Sequence, residues 1–148
     1  MASLSFPNEL EVRIDTERGG FVKRRDDGRV DFVSPLPCPF NYGSARDTLA
    51  DDGDREDVLV LGEKLERGCE VRVAVLGRVR FIDAGVADHK WLCGESLSPR
   101  EIKRINRFFR LYARAKRLLN ALRGAHGPTR FEGIEVPETS LAAIELPG

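Results

Sequence analysis

Val71-Arg72-Val73-Ala74-Val75-Leu76-Gly77-Arg78-Val79-Arg80-Phe81-Ile82 decides the fold class. Val71, Val73 and Val75 alternate with Arg72 and Ala74, the period-two pattern of a half-buried strand. Gly77 breaks the run, and Val79 to Ile82 starts another. Further out, Leu10, Val12 and Ile14 alternate with Glu11, Arg13 and Asp15 in the same way. Gly19-Gly20 then turns the chain, so Phe21 to Arg24 reads as the hairpin partner of that first strand. Asp26-Asp27-Gly28 is a second turn, followed by Val30 to Val33. Pro35, Pro37 and Pro39 predict an irregular stretch over 34–51. Asp57-Val58-Leu59-Val60-Leu61 is nearly continuous in its apolar character and reads as a buried strand, and Lys90 to Cys93 adds one more. Six or seven short strands within 95 residues, at this turn spacing, predict a small barrel.

The rhythm changes at Ser98. Ser98-Pro99-Arg100-Glu101 combines a capping box with proline at the first helical position. Ile105, Phe108, Tyr112, Ala115, Leu119 and Leu122 form a stripe at helical spacing, and Gly124 suits the C-cap. The spacing predicts a helix over 99–123, and Pro137 to Leu146 suggests a short helical tail. The expected fold is therefore α+β and mainly β. It is a small closed OB-like barrel of five to seven strands with one long C-terminal helix, in a single domain over 1–148 (strands 10–95, helix 99–123, tail 124–148).

Composition narrows the function. The chain has 148 residues, 41% hydrophobic and 32% charged, with 24 basic and 24 acidic side chains. That length buries about 68–70% of the extended chain's surface, enough for one core. Net charge alone argues for no polyanionic or cationic partner. No apolar run approaches the roughly 18 residues of a membrane helix, and the N-terminus lacks the features of a signal peptide. Cys38, Cys69 and Cys93 are an odd set without CxxC spacing. They exclude a disulfide scaffold, suggest a reducing cytoplasm, and read as small apolar residues.

The balance conceals two clusters. Residues 47–57 carry six acids against Arg55, and residues 98–123 carry nine bases against Glu101. The basic set reads as a solvated or intersubunit helix face. Asp52, Asp54 and Asp57 stand just before an apolar strand, and Asp83 and Asp88 lie in a loop with Lys90 close behind. Carboxylates at two strand ends can hold hard divalent cations over one barrel mouth and activate a water between them. Asp and Gly also make ordinary solvated turns, so taken alone the first cluster reads as a loop. Calcium is a poor fit, because Asp57 stands where an EF-hand needs glycine.

Pro39-Phe40-Asn41-Tyr42-Gly43, followed nine residues later by Asp52-Gly53-Asp54-Arg55-Glu56-Asp57-Val58, resembles the P-x-N-Y-G and D-G-D-P-x-D-V segments of the soluble family I inorganic pyrophosphatases. Asp83 to Asp88 with Lys90 resembles that family's D-x4-D-x-K loop. Phe108-Phe109-Arg110-Leu111-Tyr112 resembles its F-F-x-x-Y, and Val12 to Arg24 and Phe131-Glu132-Gly133 resemble its first hairpin and C-terminal segment.

The resemblance implies Mg²⁺-dependent hydrolysis of pyrophosphate by a metal-bridging hydroxide, with two or more ions and Mn²⁺ as a substitute. It implies Asp52, Asp57, Asp83 and Asp88 as metal ligands and Asp54 as general base. Arg24, Lys90 and Tyr112 would grip phosphate, with Tyr42 in support. It also implies a cytoplasmic homo-oligomer, a hexamer by analogy with bacterial members.

Departures from the pattern are specific. Arg55 and Glu56 replace a proline and an apolar residue. Glu11 and Arg13 replace a lysine and a glutamate, Cys38 a tyrosine, and Ala113 a lysine, while a further family glutamate falls near Ser5. Arg13 is suited to bidentate phosphate contact and can stand in for the charge of a lost metal. Two alternatives remain open. One is a hydrolase of the same fold with altered specificity or feeble activity. The other is a non-catalytic barrel binding nucleic acid through the basic helix, disfavoured by an aromatic content of only 7%.

Overall fold

A computed structural model describes residues 6–20, 22–24, 30–33, 38–49 and 55–137. In chain order they form β1 (Glu9–Thr16), β2 (Val22–Arg24), β3 (Val30–Val33), β4 (Asn41–Leu49), β5 (Arg55–Val60), β6 (Glu70–Asp83), β7 (Val86–Ala87), β8 (Lys90–Cys93), α1 (Pro99–Arg123) and β9 (Arg130–Glu135).

The main sheet runs β1-β4-β5-β8-β6, and β1 also pairs with β6. That second pairing closes a five-stranded barrel, so those strands have no open edge. β7 and β9 extend β6, and among the described residues β2 pairs with β3 alone.

Four expectations about elements are corrected. Val22–Arg24 is the partner of Val30–Val33 and not of the first strand, whose neighbours are β4 and β6. The proline-rich stretch ends at Pro39, and Asn41–Leu49 is a strand of nine residues. Gly77 does not end a strand. β6 runs unbroken for 14 residues, with a register shift between Val75 and Gly77 where it bends. A Cβ at Gly77 would lie 2.6 Å from the Glu135 carbonyl oxygen, so glycine admits β9 there. The segment after the helix contributes β9. The proposed helical tail at 137–146 falls almost wholly on 138–148, outside the described residues.

Two apolar clusters hold these elements. Leu10, Val12, Ile14, Ala45, Val58, Val60, Trp91 and Cys93 come from the barrel strands alone and fill its lumen. Leu59, Leu61, Val79, Phe81 and Leu92 point the other way and meet Ile105, Phe109, Tyr112 and Ala113 of α1. Val58 to Leu61 is a continuous apolar run because β5 is buried on both faces.

α1 is capped as the sequence predicts. The Ser98 hydroxyl accepts from the Glu101 N–H, and Gly124 adopts φ 71°. Its buried stripe differs from the expected one, being Ile105, Phe109, Tyr112, Ala113, Lys116 and Asn120. Leu122 is 76% exposed, and Leu111 and Leu118 also face outward. The inner face thus turns polar in its C-terminal half.

Two residues of the 39–43 segment are architectural. Fully buried Asn41 accepts from the Arg18 and Leu65 N–H groups and donates to the Val60 and Glu63 carbonyls, tying three segments to the start of β4. At Gly43 a Cβ would collide with the Arg13 carbonyl oxygen of β1. Gly43→Ala should therefore force β1 and β4 apart and lower stability by about 2–3 kcal/mol, seen in thermal melts as a Tm drop of about 5–10 °C. An unchanged Tm would show that the strands yield freely.

Candidate active site

The pairing register lays a polar row across the barrel wall. Arg13 stands opposite Ser44, Ser44 opposite Asp57, and Asp57 opposite Lys90. Paired residues share a face, so these four lie on one side of the sheet. It is the side that meets α1, because Leu59 and Leu92, two residues on from Asp57 and Lys90, pack there. The expected place over the barrel mouth is corrected accordingly: Asp57 and Lys90 lie within strands, on the outer wall beside the helix.

Lys90 is the centre of the group and is only 3% exposed. Its ammonium lies 3.0 Å from Asp88 Oδ2 and 3.6 Å from Asp57 Oδ2, and donates to the Asp88 carbonyl at 3.1 Å. The Tyr42 and Phe81 rings each stand 5.9 Å from it. Burial alone would lower its pKa, but Asp88 and Asp57 outweigh burial and hold it above the ordinary lysine value. The two carboxylates thus favour the charged ammonium.

Tyr42 hydrogen-bonds Asp57, and burial followed by the Asp57 and Asp88 charges pushes its phenol well above the usual range. Tyr112 enters from α1. Burial first, then Asp88, Asp83 and Asp57, raise its phenol as well. Both hydroxyls stay protonated, so they are neutral donors facing a carboxylate cluster. Tyr112 is held by edge contacts with Phe81 and Phe109 and a stacked contact with Phe108.

Asp83 lies at the end of β6. Burial alone would raise its pKa, but hydrogen bonds from Asn120 and Lys116 outweigh it and hold the carboxyl below 3.8. Lys116 Nζ is 3.1 Å from Oδ2 and Asn120 Nδ2 is 2.8 Å from Oδ1. Neither residue was a candidate from sequence, where Lys116 counted among the bases of a solvated face. The available signal was spacing. Tyr112, Lys116 and Asn120 fall at i, i+4 and i+8 and so share one helix face.

The structure thus brings together Asp57, Asp83, Asp88, Lys90, Tyr42 and Tyr112 and sets Arg13 in the same row. Asp52 and Asp54 lie outside the described residues, and Arg24 is placed only by its backbone at the end of β2. Among the described residues no three His, Cys, Asp or Glu side chains converge into a complete ligand set.

The donors that do face the group are carboxylate and phenol oxygens, which suit a hard divalent cation. Softer donors are engaged elsewhere. His89 Nδ1 accepts from the Phe81 N–H at 3.0 Å. Cys38 and Cys93 are buried, which pushes their thiols up to about 11 and about 12. Both cysteines are apolar core residues, as expected, and Cys69 is half-buried.

Two departures also acquire structural partners. Glu56 accepts from the buried Trp91 indole N–H at 2.7 Å, and Arg55 donates to the Arg46 carbonyl at 2.6 Å.

A family model described as inorganic pyrophosphatase matches residues 10–130. The chain is 38% identical over 116 residues to an inorganic pyrophosphatase of Streptomyces coelicolor, covering 70% of this chain and 71% of that one. It is 36% identical over 139 residues to an inorganic pyrophosphatase of Halalkalibacterium halodurans, covering 93% and 78%. Among solved structures, an inorganic pyrophosphatase from Coxiella burnetii superposes with a TM-score of 0.69 at 26% identity, covering 98% of this chain and 96% of that one.

Proposed function

The chain belongs to the soluble family I inorganic pyrophosphatases, and from that premise we propose that it hydrolyses inorganic pyrophosphate to two phosphates with Mg²⁺ at the carboxylate cluster. The observation that carries this reading is the position of Lys90, an ammonium between Asp57 and Asp88 with the Tyr42 phenol beside it and the Tyr112 phenol near the same carboxylates.

Each residue's part follows from its surroundings. Asp57 and Asp88, with Asp52, would hold the divalent cations. When bound, those ions offset charge on both phosphates and make a held water acidic near neutral pH. Asp54 would take the proton from the attacking water. The Tyr42 hydroxyl fixes the Asp57 carboxylate in one orientation. Lys90 presents a fixed positive charge to a phosphate oxygen, and Tyr112 offers a neutral donor whose proton burial retains. Arg24 and Arg13 would supply guanidinium contacts suited to phosphate. Charge stabilisation of this kind is the main catalytic contribution in phosphoryl transfer.

Phosphate release from pyrophosphate should require Mg²⁺ and stop with chelator. Tripolyphosphate and nucleoside triphosphates should be poorer substrates than pyrophosphate. Release that ignores Mg²⁺, or a preference for nucleotides, would overturn the assignment.

Arg13 is the departure that bears most directly on activity, being two strands from Asp57 in the polar row. Arg13→Glu should lower activity, because it removes a resident cation from that row. A variant that is faster and needs more Mg²⁺ would show that Arg13 is no surrogate for a metal.

Among the described residues no helix is long and apolar enough to cross a membrane. We propose a cytoplasmic homo-oligomer. The outward row Leu111, Leu118 and Leu122 on α1 supports self-association, at 50%, 64% and 76% exposure.

A further inference from the structure

The buried end of the seam between α1 and the barrel contains a network that the proposed reaction leaves without a role. Lys116 pairs with Asp83 Oδ2 at 3.1 Å, and its side chain is only 8% exposed. Asn120 donates to Asp83 Oδ1 at 2.8 Å and to the Thr129 hydroxyl oxygen at 2.9 Å. That oxygen in turn accepts from the Ala84 N–H at 2.9 Å. Both oxygens of Asp83 are therefore engaged, one by a full positive charge.

The neighbouring carboxylates are engaged by a different cation. Asp57 and Asp88 both pair with Lys90. Asp83 pairs with Lys116, which comes from the helix. A divalent ion at Asp83 would face the buried Lys116 ammonium, 3.1 Å from Oδ2, and displacing that ammonium would strand its charge between helix and barrel at a cost. Asn120, fixed by Thr129, holds the carboxylate so that Oδ2 stays turned to Lys116.

We infer that Lys116 is a resident cation at Asp83, standing where the family resemblance places a divalent ion, so that Asp83 positions Lys116 and does not ligate metal. The inference rests on the diphosphatase reading for its context. It makes Asp83 a positioning residue and Lys116 a fixed charge that lowers the number of ions the site takes up with a diphosphate.

The test counts ions directly. Mn²⁺ binding to the full chain is measured by equilibrium dialysis with saturating methylenediphosphonate, for the native protein, Asp83→Asn, Lys116→Met and the double variant. Asp83→Asn should leave the number of bound Mn²⁺ unchanged and each affinity within about twofold. Lys116→Met should bind one more ion, or bind the last one about tenfold tighter, equivalent to about 1.4 kcal/mol. The double variant should lose that gain, and Lys116→Arg should keep the native count. Loss of an ion in Asp83→Asn, or native counts and affinities in Lys116→Met, overturns the inference. Should Lys116→Met fail to fold by circular dichroism, the Asp83→Asn count decides alone, a retained count supporting the inference. Pyrophosphate turnover of the native chain is followed in the same buffer. Absent turnover with the expected ion counts overturns the hydrolase reading and leaves Lys116 at its post.

Discussion

Asp57→Asn should lower the kcat for pyrophosphate hydrolysis by about 10³-fold, the scale on which a charge-stabilising group in a closed site acts. The replacement is nearly isosteric, so the loss isolates charge. Asparagine can still accept from Tyr42, and Lys90 keeps Asp88 at 3.0 Å as its closer partner. Stability of the metal-free protein should consequently change by no more than about 1.5 kcal/mol. The missing charge matters to cations. The rise in Tm that Mg²⁺ gives the native protein by binding its folded form should shrink sharply in the variant. Activity within about tenfold of native, with the Mg²⁺ effect on Tm intact, would remove Asp57 from the proposed ligand set.

The second large effect belongs to Lys90. Lys90→Met keeps the length of the side chain and deletes its charge, leaving Asp57 and Asp88 to face each other without their shared ammonium. Breaking a buried pair in this way costs about 3 kcal/mol, at the low end of the usual range because Asp88 is 37% exposed. Chemical denaturation in chelator should show that loss, and Mg²⁺ should recover part of it by supplying another positive charge. Hydrolysis should fall by about 10²-fold even at saturating Mg²⁺, because the proposed contact to phosphate is gone. A variant as stable as the native chain in chelator would mean that the carboxylates repel one another less than their placement implies.

These two residues also show how far sequence and tertiary structure each reach. Asp57 stands out in sequence as an acid just before an apolar strand, and Lys90 through the resemblance of residues 83–90 to the family's D-x4-D-x-K loop. Spacing along the chain carries no register, however. That Asp57 sits directly opposite Lys90 follows from the parallel pairing of β5 with β8, which brings together residues 33 positions apart in sequence. Lys116 marks the same boundary from the other side. Its charge made it look like solvated surface, and only the packing of α1 against β6 reveals that it is buried and bound to Asp83.

Local chemistry determined the helix, because its signals lie within a few residues of where they act: the Ser98 cap, Pro99, the apolar stripe and Gly124. Alternation of residues two apart marked β1 and the first half of β6, and a nearly continuous apolar run marked β5. Partnership between strands was decided in three dimensions. Val22–Arg24 fits the first strand as a hairpin by pattern, yet β1 closes the barrel with β4 and β6. The physical reason is that periodicity reports which face of a segment seeks burial, while the identity of its partner depends on the barrel closing over a shared core.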